Sequence, residues 1–224
     1  MSMIKYLLII AGALLQLCFI ITEHREDYVK AVILKGLASL MFVITGFLGY
    51  RNSGSGFGRL IFIGLALGML GDILLNLRFV FPENGQKIFL LGIVAFLAGH
   101  ILYLAALIPQ AQHLSICLII GALIAAALLI YIFKTMEVKL AFKIFGVVYL
   151  GAVIIMTAVA IGNAIALPSK NNVMYAIGAI AFALSDIVLI FNTFGSSTRF
   201  SLRVTNLSLY YLGQALIALS LFFI

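Results

Sequence analysis

The chain has 224 residues, of which 65% are hydrophobic and 9% are charged. A soluble domain of this size would have too few polar residues to cover its surface, so the composition excludes one and predicts a polytopic helical membrane protein. The formal charge of +7 is therefore expected to set topology and to attract anionic lipid headgroups, and no nucleic-acid partner is expected.

Hydropathy along the chain predicts eight membrane-spanning helices joined by short loops. Helix 5 is almost devoid of polar residues, which places it at the lipid-facing rim. No loop is long enough to separate soluble domains, so residues 1–224 are expected to form a single all-α membrane domain. Cys18 and Cys117 lie in apolar segments, which predicts two buried thiols without a metal or redox role. The expected spans are 3–22, 31–50, 59–79, 87–108, 114–133, 140–167, 173–194 and 204–224.

Basic residues are divided unevenly between the two sides of the predicted bundle. Four of the 14 Lys and Arg residues fall on the side of the N-terminus and ten on the other. The positive-inside rule makes the second side cytoplasmic, so both termini are expected to face outward. In a prokaryote, the membrane would be the cytoplasmic (inner) membrane.

The polar residues of the helices repeat at an offset of 114 positions. At this offset Asp72 of helix 3 corresponds to Asp186 of helix 7, and Gly64 corresponds to Gly178. The same offset aligns Gly99-His100 of helix 4 with Gly213-Gln214 of helix 8. Two intramembrane aspartates at one offset predict a pseudo-repeat of four-helix halves, 1–110 and 111–224, in parallel orientation.

An aspartate within a membrane helix costs ~2.5–3.5 kcal/mol on insertion scales, so it requires a structural or functional reason. In helix 3, Gly64, Gly68, Asp72 and Asn76 form an i+4 stripe that favours close helix packing, which turns Asp72 toward protein. At ~1.5 Å per residue, Asp72 lies ~10 Å and Asp186 ~12 Å from the cytoplasmic ends of their helices. The two carboxylates are therefore expected to share a depth.

Further polar residues are expected near that depth. Gln and Tyr residues in membrane helices commonly act as interhelical hydrogen-bond partners, and a lysine near a helix end can extend to the membrane surface. His100 is expected higher in its helix, where a structural role remains open. The residues concerned are Gln16, Lys35, Tyr149, Tyr210, Tyr211 and Gln214.

A carboxylate pair in an apolar interior favours one neutral acid beside one charged base. This arrangement is suited to acid-catalysed hydrolysis, and it is equally suited to moving protons in a coupled transporter of a small amphiphile. The residues alone leave both functions open.

Four blocks of residues stand out in the predicted helices: Gly71-Asp72 followed by Ile-Leu-Leu, Phe96-x3-His100-x2-Tyr103, Gly178-Ala179-x2-Phe182-x2-Ser185-Asp186 and Tyr210-Tyr211-x2-Gln214. Together they resemble the signature of the YhhN family of integral membrane proteins. The resemblance covers nearly the whole chain, and Lys35 and Tyr149 also stand at positions compatible with the family. It implies an eight-helix membrane bundle. Because the eukaryotic members are lysoplasmalogenases, it also implies hydrolysis of the vinyl-ether bond of lysoplasmalogens.

The implied reaction releases a fatty aldehyde and a glycerophospho-ethanolamine or -choline, and an aspartate pair could supply its acid and base. Asp72 and Asp186 are then the catalytic residues, with the acid unassigned. The partner is a lysophospholipid, or a related lysolipid or ether, within the membrane. No cofactor is implied, and two aspartates with distant histidines form no metal site. Substrate binding or orientation of the carboxylates would involve Lys35, Asn76, His100, Tyr149, Tyr210, Tyr211 and Gln214.

Overall fold

The computed structural model describes residues 2–136, 140–195 and 197–224. Within these ranges the chain forms eight α-helices and three short 3₁₀-helices, with no β-strand. All eight α-helices are long and apolar enough to cross a membrane, which confirms the predicted eight-helix bundle and makes the chain a multi-pass membrane protein. They are α1 (Ser2–His24), α2 (Tyr28–Ser53), α3 (Gly56–Val80), α4 (Gly85–Leu107), α5 (Leu114–Thr135), α6 (Leu140–Ala166), α7 (Lys170–Phe194) and α8 (Phe200–Ser220).

Several helices begin a few residues before the predicted apolar spans. Their first turns are stabilised by polar caps, which hydropathy does not detect. The Ser55 hydroxyl accepts a hydrogen bond from the backbone N–H of Gly58 at 3.0 Å, and Ser169 accepts one from Asn172 at 3.2 Å. Gly54 ends α2 with a φ of +62°, a left-handed conformation that favours glycine.

Helices that follow one another in the chain pack side by side within each half of the bundle. The halves then meet through α4 against α6 and through α2 against α8. These two contacts are related by the 114-residue offset, because α2 against α8 corresponds to α6 against α4. Helix α5 packs mainly against α6 and exposes a row of large apolar side chains, as expected for a helix that faces lipid.

Two glycine pairs lie where helices cross closely. A Cβ atom on Gly64 would lie 3.1 Å from the carbonyl oxygen of Gly99, and one on Gly178 would lie 2.8 Å from that of Gly213. The four residues are the glycines that the offset relates. Helices α3 and α4, and likewise α7 and α8, therefore meet backbone to backbone, as in other small-residue contacts of membrane helices.

Two sequence expectations need comment. Cys117 is buried, but Cys18 is exposed, so the prediction of two buried thiols was wrong for Cys18. In a membrane protein an apolar helix face can contact lipid as well as protein, and hydropathy cannot tell the two apart. Lys139, one of the ten basic residues assigned to the cytoplasmic side, lies outside the described residues.

Candidate active site

A cleft containing both intramembrane aspartates lies between α2, α3, α4, α6, α7 and α8. Its cavity volume is about 140 Å³. Its wall is mostly apolar, with side chains such as Leu75, Ile93, Phe96, Phe182 and Leu189. Six residues predicted for the site line this cleft: Lys35, Asp72, Asn76, Tyr149, Asp186 and Tyr210.

Asp72 of α3 is held by a cation and two hydroxyl groups. Its Oδ1 lies 3.4 Å from Lys35 Nζ, and its Oδ2 accepts hydrogen bonds from the Ser39 hydroxyl at 2.5 Å and the Tyr210 hydroxyl at 2.6 Å. The side chain is only 4% exposed. Burial of a carboxylate is costly unless it is paired and hydrogen-bonded, and these partners provide both kinds of interaction. The arrangement stabilises Asp72 as an anion.

Lys35 does not extend to the membrane surface, which decides between the two possibilities left open by the sequence. The residue is 1% exposed. Its Nζ donates to Gln16 Oε1 at 3.3 Å and lies 4.4 Å from the centre of the Tyr210 ring. Lys35 is thus the counter-ion of Asp72, held in the bundle by α1 and α8.

Asp186 of α7 has a much sparser environment, although it is also 4% exposed. The Tyr149 hydroxyl donates to its Oδ2 at 2.8 Å. Within the described ranges, no basic side chain forms an ion pair with it. The neighbouring Ser185 is engaged by Asn206, which donates to its hydroxyl at 2.8 Å and to its carbonyl at 2.9 Å. The two carboxylates of the cleft are therefore electrostatically unequal.

Asn76 lies one turn from Asp72 in the same stripe. Its Nδ2 donates to the Asp72 carbonyl at 3.0 Å, while its Oδ1 has no hydrogen-bond partner among the described residues. This buried acceptor is available to a hydroxyl or ammonium group of a bound molecule.

Three residues predicted for substrate binding lie outside the cleft wall. His100 Nδ1 is 2.8 Å from the Phe96 carbonyl, and the ring contacts Tyr149 with 5.7 Å between centroids. Gln214 Oε1 accepts from the Tyr103 hydroxyl at 3.0 Å. The Tyr211 hydroxyl donates to the Ile9 carbonyl at 3.2 Å, which joins α8 to α1. Their contacts favour positioning of helices and of Tyr149 over direct substrate contact.

The structure also adds residues that sequence reasoning missed. Ser39 contacts Asp72 directly, but an isolated serine in an apolar helix carries no visible signal. Arg78 and Arg203 line the end of the cleft at which α3 ends and α8 begins, although the sequence analysis used them only among the basic residues that assign topology. The only sign in the sequence that they belong to the site was their position, near the end of α3 and the start of α8.

Comparison with known proteins identifies one family. The model of the YhhN family matches residues 28–221 of the 224-residue chain. Neither a search of curated proteins nor a search of solved structures found a match. The match includes both aspartates and every other residue of the cleft described above.

Proposed function

The chain belongs to the YhhN family, and from this membership and the geometry of the cleft we propose that it is a membrane-embedded hydrolase of lysoplasmalogens. The observation that carries the proposal is the unequal carboxylate pair, Asp72 and Asp186, in one apolar cleft. Asp72 has a lysine and two hydroxyl donors, whereas Asp186 has one hydroxyl donor. An ionised and a neutral carboxyl group side by side can act as base and acid.

The first step is proton transfer from Asp186 to the outer carbon of the vinyl ether, which leaves Asp186 ionised and creates an oxocarbenium-like cation. The anionic Asp72 stabilises this cation through space, as a carboxylate does in glycoside hydrolysis. Water then adds to the cationic carbon and gives one proton to Asp72. The product of this step is a hemiacetal.

The hemiacetal collapses in a step that restores both carboxyl groups. Asp186 takes the proton from the hemiacetal hydroxyl while the carbonyl forms and the bond to the glycerol oxygen breaks. Asp72 returns its proton to that oxygen. The net reaction consumes one water and yields one fatty aldehyde and one glycerophospho-alcohol. It needs no group beyond the two aspartates and water.

The cleft suits a single-chain amphiphile. Its apolar wall can accommodate an alkenyl chain, and both aspartates line it, so the reacting bond would lie beside them. Lys35, Ser39, Tyr210 and Tyr149 act in this proposal by holding the carboxylates in their two protonation states and orientations. The substrate is then a lysophospholipid drawn from the surrounding membrane.

The test is hydrolysis by the purified protein in detergent, where no ion gradient exists. Lysoplasmalogen is the substrate, and the fatty aldehyde is measured directly. The saturated 1-O-alkyl lysophospholipid is the matched control, because it lacks the double bond that accepts the proton. We expect aldehyde release from the vinyl ether and none from the saturated ether. Asp186→Asn should abolish this release. Glu83→Gln, which alters an exposed carboxylate, should retain it. Absence of aldehyde with all lysoplasmalogens would refute the proposal.

A further inference from the structure

The central cleft continues into a second chamber, the vestibule, at the end of the bundle where α3 and α7 end and α8 begins. The vestibule is lined by the ends of α1, α3 and α7 and by the starts of α2 and α8, and its cavity volume is about 450 Å³. Four residues line both chambers and so define the passage between them: Arg78, Leu189, Thr193 and Arg203. Two guanidinium groups therefore stand where the cleft meets the aqueous phase.

The two arginines differ in how they are paired. Arg203 binds Glu23 through two parallel hydrogen bonds of 2.6 and 2.9 Å, which neutralises its charge. Arg78 has no carboxylate partner within the described parts of the chain. Its guanidinium lies against the rings of Phe79 and Phe89, at 4.6 and 4.5 Å from their centres. Its buried Nε has no hydrogen-bond acceptor.

An incompletely paired guanidinium beside an apolar cleft is costly, and its fork geometry is suited to a phosphate group. We propose that Arg78 binds the phosphate of the lysolipid headgroup at this passage. The inference rests on the proposed function for the identity of the lipid. Arg203 and Glu23 already neutralise each other, so the positive charge of Arg78 is the one that would pair with the negative charge of a phosphodiester.

The spacing along α3 fits one substrate molecule. Arg78 follows Asp72 by six positions, which is ~9 Å along a helix at ~1.5 Å per residue. In a lysoplasmalogen the phosphorus is separated from the vinyl-ether carbon by about six bonds, roughly 7–8 Å when extended. A phosphate on Arg78 would therefore place the vinyl ether near the level of Asp72 and Asp186.

The vestibule beyond Arg78 contains groups that could bind the cationic part of the headgroup. Glu26 lines it and has no ion-pair partner among the described residues. Tyr28 and Phe79 stack beside it with 5.3 Å between ring centroids. A carboxylate and aromatic faces are the groups that bind an ethanolamine or choline cation. The zwitterion would thus lie with its phosphate inward and its ammonium outward.

The experiment measures equilibrium binding of two radiolabelled ligands to the full-length protein in lipid nanodiscs, with empty nanodiscs as background. One ligand is 1-O-alkyl-glycerophosphocholine, which cannot be cleaved, and the other is the 1-O-alkylglycerol that lacks the phosphate. The wild type is expected to prefer the phosphorylated ligand. Arg78→Gln should weaken the affinity for that ligand by about 10- to 100-fold, the usual effect of losing a charged hydrogen bond. The affinity for the alkylglycerol should change little.

Controls separate the phosphate contact from folding. Arg78→Lys retains the charge without the fork and should lose less than Arg78→Gln. Arg59→Gln removes an exposed arginine at the opposite end of the same helix and should bind like the wild type. Unfolding temperatures close to the wild type exclude a folding defect. Equal loss for both ligands in Arg78→Gln, or no loss for either, would overturn the proposal.

Competition with glycerophosphocholine distinguishes the source of the phosphate. Displacement at millimolar concentration, lost in Arg78→Gln, would support a site that recognises the free phosphodiester as well. No displacement, with the lysolipid still dependent on Arg78, would support a site for the lipid alone. Because no bond is cleaved in this assay, a hydrolysis test can fail while the phosphate site stands, and the reverse also holds.

Discussion

Lys35 and Tyr149 are separated by 114 residues, and each binds one of the two buried aspartates. The same offset of 114 residues separates Asp72 from Asp186. The Lys35–Asp72 ion pair at 3.4 Å therefore corresponds to the Tyr149–Asp186 hydrogen bond at 2.8 Å. Positions related by this offset thus carry an ammonium group beside one carboxylate and a hydroxyl group beside the other, which makes the two carboxylates chemically different.

The first prediction concerns the carboxylate pair. Asp72→Asn and Asp186→Asn should each lower turnover of lysoplasmalogen by at least ~100-fold, because asparagine preserves the shape and removes the proton chemistry. The double variant should lose little more, since groups that act together are not additive. Aldehyde release measured against pH should give a bell-shaped profile in the wild type. Near-normal turnover in either single variant would remove that residue from the mechanism.

The second prediction concerns the buried ion pair. Lys35→Met should destabilise the protein by ~3–5 kcal/mol, because Asp72 would remain as an unpaired buried charge. Adding Asp72→Asn should recover much of that loss, since the uncompensated charge is then gone. Unfolding temperatures in one detergent provide the measurement. If the two substitutions destabilise additively, the ion pair is not a coupled unit. Activity should stay low in the double variant.

The third prediction compares adjacent tyrosines on α8 with the tyrosine on α6. Tyr149→Phe removes the hydroxyl bound to Asp186 and should lower turnover by ~10-fold or more, the effect of losing one charged or catalytic hydrogen bond. Tyr210→Phe should cost less, because Asp72 keeps Ser39 and Lys35. Tyr211→Phe should leave turnover near the wild-type value, because its hydroxyl bonds to the Ile9 carbonyl and to neither aspartate among the described residues. A larger loss in Tyr211→Phe than in Tyr149→Phe would contradict this order.

The fourth prediction concerns the helix crossing of α7 and α8. Gly178→Ala places a Cβ atom 2.8 Å from the Gly213 carbonyl oxygen, so the backbones must separate, and a destabilisation of ~1–3 kcal/mol is expected. Gly151→Ala is the matched control, because among the described residues no atom beyond the adjoining part of α6 itself lies within 4 Å of its added Cβ. Helix propensity should make that variant neutral or slightly more stable. Thermal unfolding that ranks the two variants in the opposite order would argue against the close crossing.

The fifth prediction concerns topology. The distribution of basic residues predicts that both termini lie outside the cytoplasm and that the vestibule faces the cytoplasmic leaflet. A C-terminal fusion to a reporter that is active only outside the cytoplasm should therefore be active. A fusion after Phe81, in the loop between α3 and α4, should be inactive. The reverse pattern would invert the orientation and with it the leaflet from which substrate enters.

The amino-acid sequence by itself determined the membrane class, the eight spans and the two aspartates. A long apolar segment must span the membrane as a helix, because its backbone polar groups need internal partners. A charged residue inside such a segment can be recognised from the sequence alone, because it stands out against its apolar neighbours. The recurrence of Asp72 at Asp186, with the glycines around them, follows from comparing the chain with itself.

Only the tertiary structure decided which side chains meet in the cleft. Depth along a helix follows from residue number, but rotation and crossing angle depend on contacts such as Gly178 against Gly213. For this reason Lys35, Tyr149 and Tyr210 face the carboxylates, while Tyr211 and Gln214, at a similar depth, pack elsewhere. Ser39 matters because it bonds to Asp72, and Arg78 because no carboxylate among the described residues pairs with it. No local sequence pattern shows these relationships, because they arise where separate helices converge.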